Sequence, residues 1–577
     1  MKNLFRHLKK YTLESILAPL FKLTEALLEL TVPIVIAAII DRGIADSDKG
    51  YVVKMSLLLV LIGAVGLAFS LTAQYFSAKA AVGTAADMRM GLFRKIQSFS
   101  YSQLDRIGTP TLLTRMSGDM NQVQTGINLT LRLLLRSPFV AFGAMIMAFI
   151  VGAGAGLATL SFAIVIPVLT VVIFIILLAS IPMQGKAQKG LDETTAALRS
   201  NLEGVRVLRA FRLEEREINE FSDKTTQLNR IQLAAGRVSG MLNPLTYVII
   251  NLAIVMLING GAIEVNSGNL TQGELVALYN YMTQILVELI KMANLIITVT
   301  KAIASAKRIS AVMEEACDMP IKSDGNHEKD SEYAVEFRGV SFSYPGASGS
   351  VINNLDIKIK KGETLGVIGG TGSGKSSFVR LIPRFYDVTD GTVLVNGRDV
   401  RTYAPHELHS VIGFAAQKPT AFSGTVRDNV KIGKPDASDK EVLEALEIAQ
   451  LTSIIKEKEN GLDSEVEQNG RNLSGGQKQR LSLARTFVRR PQILILDDSL
   501  SALDRITDAA LRKAIRGLDY SPTAIIVAQR VESISDCDRI LVLDSGDAVG
   551  LGTHSELYES CPVYREICDS QKGGEAL

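Results

Sequence analysis

The chain has 577 residues, 47% of them hydrophobic, with a formal net charge of +2 and four cysteines. That length exceeds one ordinary core, so two or more domains are expected, and the near-neutral charge gives no sign of a nucleic-acid partner. Cys317, Cys537, Cys561 and Cys568 lack metal-ligand spacing and lie outside the apolar runs, so they read as reduced cytoplasmic thiols.

The mean hydropathy is positive, and the apolar excess sits in the first half of the chain. The basic N-terminus, MKNLFRHLKKYTLES, has no small-residue cleavage site and reads as a retained cytoplasmic helix. Six apolar segments follow, near 16–41, 55–78, 133–153, 157–182, 244–263 and 274–300. Each is close to the roughly 20 residues that carry a helix across the hydrocarbon core. The third and fourth meet in a tight uncharged turn, GAGAG at 152–156. The loops after the second and fourth are long and rich in Lys and Arg, which places them, and the N-terminus, in the cytoplasm. Both loops keep helical patterning, so helices are expected to project from the membrane and reverse near 103–111 and 204–211.

A charge near the bilayer centre costs at least ~2.5 kcal/mol on insertion scales, so intramembrane charges need a partner or a cavity. Lys22, Glu25 and Glu29 share a helical face of the first span, and Glu288 and Lys291 sit in the sixth. Lys22 reads as snorkelling to the inner interface. Glu25 and Glu288 each have a lysine three residues away, and Glu29 has none within helical reach except Lys22. A translocation pathway lined by Glu25, Glu29 and Glu288 is the alternative to local ion pairs. Pro33 is expected to kink the first span.

Residues 317–332 (CDMPIKSDGNHEKDSE) are polar and read as a linker. Short apolar strands then alternate with amphipathic helices, the pattern of a sheet flanked by helices. The run TLGVI at 364–368 reads as a buried strand and FVRLI at 378–382 as a helix. Between them Gly369, Gly370, Thr371, Gly372, Ser373, Gly374, Lys375, Ser376 and Ser377 fit a phosphate loop, G-x-x-x-x-G-K-[ST]. Its backbone N–H groups and the helix start would cradle a phosphate, with Lys375 on the terminal phosphates and Ser376 on Mg²⁺. Tyr344 precedes it by about a hairpin's length, where a ring could stack on a base or simply pack in the strand. Gln417, after the strand at 411–415, offers an amide oxygen to Mg²⁺ or water.

In LSGGQ, Ser474 and Gln477 form a capping box, and Gly475 and Gly476 leave the helix start bare for an anion. The strand ILIL at 493–496 ends in two carboxylates, of which Asp497 suits the Mg²⁺ shell and Asp498 stands where a base or water-positioning group is expected. Ser501, Ala502, Leu503 and Asp504 follow, and Gln529 comes after the strand at 524–528.

GGTGSGKS, Gln417, LSGGQ, ILILDD and SALD, in that order, resemble the ABC transporter family, specifically the exporter half-transporter. The resemblance implies a multidomain membrane protein. An all-α six-helix transmembrane domain with long cytoplasmic extensions would fill 1–316. An α/β P-loop nucleotide-binding domain with a helical subdomain would fill 333–577. It makes Tyr344 the adenine-stacking residue, the two helical turns coupling helices, ATP and Mg²⁺ the cofactors, and 501–504 the D-loop. Two such domains would face head to tail, each ATP lying between one phosphate loop and the other subunit's LSGGQ. The expected location is a bacterial inner membrane, with lipid and a small molecule as further partners.

Two positions depart from the family pattern. Asp498 stands where Glu is usual and Gln529 where His is usual, and no histidine lies between His409 and His554. Asp is shorter than Glu by roughly 1.5 Å, and a misplacement of ~1 Å can cost on the order of 10²-fold in rate. Gln bonds an oxygen but cannot take up a proton's charge as His can. This resembles the degenerate-site subunit of bacterial heterodimeric multidrug exporters, and implies a partner chain with Glu and His. A homodimeric lipid or peptide exporter, or an ATP-gated channel or regulatory subunit, are the alternatives.

Overall fold

The computed structural model describes residues 2–153, 156–316, 318–321, 331–347, 349–452, 455 and 460–573. Most of the linker at 317–332, the middle of the turn at 152–156, and Cys317 therefore lie outside the described residues. Two compact units form: Met1–Ser98 with Thr109–Glu315, and Phe99–Gly108 with Ala316–Leu577.

The first unit is all helix. In chain order it contains α1 (Lys2–Leu8), α2 (Thr12–Ala38) and α3 (Lys49–Gln97). The short α4 (Tyr101–Ile107) belongs to the other unit. Then come α5 (Thr109–Thr114), α6 (Met120–Leu133), α7 (Arg136–Val151), α8 (Gly156–Ala210), α9 (Glu214–Gly240), α10 (Leu242–Asn266) and α11 (Gln272–Met313). Among the described residues six helical segments are long and apolar enough to cross a membrane. The spans run without a break into polar extensions, so α3 reaches 49 residues and α8 reaches 55. The third apolar run is interrupted at Leu134 and Leu135, and α7 restarts at Arg136.

Apolar side chains give no net preference for protein over lipid tails, so these helices pack through small residues. A Cβ on Gly143 would strike Leu30, and one on Gly126 would strike Ala302. α2 stays helical through Pro33 and only then widens into a π turn at Ile39–Ile44. Asp41 in that turn accepts from Gly273 N–H at 2.7 Å and Thr271 Oγ at 2.6 Å, capping the start of α11.

Long-range pairing changes the reading of the intramembrane charges. Lys22 does not snorkel: it is 6% exposed and donates to Glu25 at 2.5 Å and to Ser70 at 2.9 Å. Glu29 has a partner that its own helix cannot supply. Arg136 donates to Glu29 at 2.5 Å and to Glu288 at 2.7 Å, and Lys291 also reaches Glu288 at 2.8 Å. Arg136 and Glu288 are buried, whereas the Glu29 side chain keeps 41% of its surface.

The second unit is built on sheets. β1 (Tyr333–Phe342), β2 (Ile352–Lys360), β4 (Asp390–Val395) and β5 (Arg398–Asp399) form an antiparallel sheet in the order β2-β1-β4-β5. The larger sheet contains β3 (Thr364–Gly369), β6 (Ile412–Ala415), β9 (Ile493–Asp497), β10 (Thr523–Val527), β11 (Arg539–Asp544) and β12 (Asp547–Gly552), in the order β12-β11-β3-β10-β9-β6. Its inner strands are parallel, and β9 and β10 are buried at every residue. Continuous apolar runs are what strands covered on both faces require. A two-stranded ladder of β7 (Gly424–Thr425) and β8 (Glu465–Val466) completes the described sheets.

Residues 99–108 pack with this unit. The Tyr101 ring stacks on Phe385 at 4.5 Å, Tyr386 donates to Asp105 at 2.7 Å, and Gln103 donates to the Ala316 carbonyl at 2.6 Å. Burial and the Asp105 carboxylate push the Tyr386 phenol well above its ordinary range, so that hydroxyl stays a donor.

Candidate functional site

Parallel strands bring their carboxyl ends to one edge of a sheet, which is where ligands bind in such folds. Here β3, β10, β9 and β6 are consecutive neighbours, and each delivers a residue to that edge. β3 leads into the phosphate loop, β9 ends in Asp497, and Gln529 and Gln417 each lie two residues beyond β10 and β6. These residues lie far apart in sequence and meet because the register aligns Val527 with both Val367 and Asp497, and Ala415 with Leu496.

The loop's glycines are needed where they stand. Gly372 and Gly374 have φ of 81° and 97°, and a Cβ on Gly369 would collide with the Leu543 carbonyl. Lys375 folds onto its own loop, donating to the carbonyls of Gly369 at 2.8 Å and Gly370 at 2.7 Å. Burial lowers its pKa, opposed by Asp498 and Asp497. Tyr344 packs edge-on with Phe342 and Tyr386, and its hydroxyl lies 3.0 Å from Ser377 Oγ.

Ser376 donates to Asp497 Oδ1 at 2.8 Å, while Oδ2, fully buried, has no hydrogen-bond partner and sits 3.9 Å from Arg380. A buried carboxylate oxygen left over beside a serine hydroxyl suits a hard cation that also takes phosphate oxygens, so Ser376, Asp497 and the Gln417 amide oxygen would hold Mg²⁺. The cation would offset phosphate charge when bound. Burial raises Asp497 above the usual carboxylate range, and Ser376 and Arg380 oppose this. Protonation then competes with Mg²⁺ at a higher pH than for an exposed aspartate. As pH falls, the Mg²⁺-dependent part of nucleotide affinity is expected to begin dropping at a higher pH than an exposed aspartate would set, and Asp497→Asn should flatten that dependence in a binding titration.

Asp498 is held differently. Its φ is 49°, in the left-handed region, and its N–H donates to the Val527 carbonyl at 3.1 Å. Oδ2 accepts from two amides, Gln529 at 2.7 Å and Gln417 at 3.1 Å, and the buried Oδ1 has no hydrogen-bond partner. The two residues that depart from the family pattern are thus bonded to each other. A cavity of about 500 Å³ holds residues 369–377, Gln417, Asp498 and Gln529 together, with Gln571 and Ile567 from the C-terminal helix. Neither Arg380 nor Gln571 is foreseeable from a local motif.

The LSGGQ residues do not join that cavity among the described residues. Ser474 caps the helix Gly475–Phe487, accepting from Gln477 N–H at 3.2 Å, while the Gln477 side chain accepts from Ser474 N–H at 2.9 Å. Ser501 donates to the Asp498 carbonyl at 2.9 Å, Leu503 is buried, and Asp504 caps the helix Arg505–Arg516. Glu25, Glu29 and Glu288 lie in the other unit, ion-paired as described.

A phosphate loop and an aspartate at the edge of a parallel sheet, in a chain with six spans, define a multi-pass membrane protein driven by a nucleoside triphosphate. The chain belongs to the ABC transporter family: residues 15–289 match its transmembrane region and 352–501 its ATP-binding domain. It is 34% identical over 570 residues to the uncharacterized ABC transporter ATP-binding protein Rv1273c of Mycobacterium tuberculosis (strain ATCC 25618 / H37Rv), covering 98% of this chain and 97% of the relative. It is also 34% identical to the uncharacterized ABC transporter ATP-binding protein YfiB of Bacillus subtilis (strain 168), covering 100% of this chain and 99% of the relative. The fold matches a bacterial Atm1-family ABC exporter with ATP bound, at TM-score 0.81 and 22% identity over 98% of both chains. The architecture is that of an ABC half-transporter, one transmembrane region joined to one ATP-binding domain, with the fold of an ABC exporter.

Proposed function

We propose that this chain is the weakly cleaving subunit of a heterodimeric exporter in a bacterial cytoplasmic membrane, moving a small amphipathic or hydrophobic molecule. One observation carries the reading: the Asp498 carboxylate is short and is gripped by the amides of Gln417 and Gln529, and among the described residues no histidine lines their cavity. Neither amide can accept the proton that an attacking water must lose. Lys375, Ser376 and Asp497 remain in place for binding, so the cleft retains ATP without consuming it quickly.

The partner chain would carry Glu and His at these two positions and would complete its own cleft with this chain's Ser474, Gly475, Gly476 and Gln477. ATP binding closes the paired nucleotide-binding domains, the projecting helices transmit closure, and the membrane cavity turns outward. Of the three membrane carboxylates, Glu29 keeps exposed surface and is the candidate to meet a substrate. The test is paired substitution in the purified complex. The partner's Glu→Gln change should stop steady-state ATP hydrolysis, and Asp498→Asn here should leave most of it. The reverse pattern would overturn the assignment.

A further inference from the structure

We propose that Gln571 is a positioning residue that clamps the segment carrying Gln529 and thereby sets how well this cleft distinguishes a terminal phosphate from its absence. The inference rests on Gln529 facing the terminal phosphate.

The C-terminal helix Pro562–Gly573 is fixed to the domain by its apolar face. Cys561, Tyr564 and Cys568 are buried in the core that also holds Ile540 and Val542, and the Tyr564 hydroxyl lies 2.7 Å from His554 Nδ1. Gln571 contributes nothing to that anchoring, because it is exposed. Its side chain turns to the segment after β10 instead. Nε2 donates to the Gln529 carbonyl at 2.8 Å, and Oε1 accepts from Val531 N–H at 2.9 Å. One primary amide therefore satisfies a carbonyl and an N–H two residues apart, as a neighbouring strand would. No backbone group among the described residues takes either position.

The connection continues inward. The Gln529 side chain donates to Asp498, and Gln571 lines the same cavity as the phosphate loop. Releasing the clamp leaves the segment free to turn, and the Gln529 amide is then no longer held where a terminal phosphate oxygen arrives. The phosphate loop is untouched, so a nucleotide lacking that phosphate should bind as before.

The experiment uses the assembled full-length transporter and measures AMP-PNP and ADP as competitors of azido-ATP photolabelling on this chain. Gln571→Met keeps the side chain's length and removes both bonds. It should weaken AMP-PNP about fivefold or more, the scale of one or two net hydrogen bonds, with ADP changed less than about twofold. Gln571→Glu keeps the acceptor for Val531 N–H and should fall between, and it reads the same ratio if the methionine variant folds poorly. A wild-type AMP-PNP to ADP ratio in both variants, or equal weakening of both nucleotides, overturns the clamp. Gln529→Ala separates the two readings. If it loses discrimination while Gln571→Met does not, only the clamp fails; if it keeps discrimination, the placement of Gln529 fails and the clamp with it. Because AMP-PNP is not cleaved, neither result depends on how fast this cleft hydrolyses ATP.

Discussion

The double variant Asp498→Glu with Gln529→His should raise single-turnover ATP cleavage on this chain on the order of 10²-fold, and neither change alone should do so. Lengthening the carboxylate by itself pushes it into the Gln417 and Gln529 amides, which already occupy Oδ2. Replacing only Gln529 supplies an imidazole but leaves the carboxylate roughly 1.5 Å short of the attacking water. Groups that bond each other and serve one step are not additive. The measurement is chase of labelled ATP bound to this chain in the assembled transporter. Full gain from Asp498→Glu alone would mean that Gln529 does not limit the step.

The largest effect on stability is expected at Arg136→Met. That guanidinium, on α7, is tied to α2 through Glu29 and to α11 through Glu288. Its loss leaves a carboxylate that is 1% exposed facing the partly exposed Lys291 as its remaining ion-pair partner among the described residues. Removing one partner of a buried pair costs about 3–5 kcal/mol, whereas removing both can be nearly neutral. The single variant should therefore melt several degrees lower in detergent. Adding Glu29→Gln and Glu288→Gln should recover most of the loss. Equal melting of the single and triple variants would rule out the uncompensated charge as the cause.

The parts legible from sequence are those whose chemistry is local. The phosphate loop, the capping box at Ser474 and the apolar strand ending in Asp497 each carry their meaning within a few residues, and the six apolar runs need only length. What escaped reading is long-range. Glu29 and Arg136 are 107 positions apart, so helical spacing cannot pair them, and the same spacing, which sends Lys22 toward water, holds no sign of its second partner Ser70, 48 positions on. Gln571 is one polar residue near the end of an amphipathic helix, with no pattern to mark it. Residues 99–108 follow a span directly, yet their contacts place them in the nucleotide-binding unit, because Tyr101 and Asp105 meet aromatic residues that only folding assembles.

That last grouping bears on how the soluble half can be produced. A fragment beginning at Ala316 would lack the helix that covers Phe385 and gives the Tyr386 hydroxyl its acceptor. Bare aromatic rings at that spot favour self-association. A polypeptide supplying 99–108 through a flexible tether should stay monodisperse where the shorter one clumps.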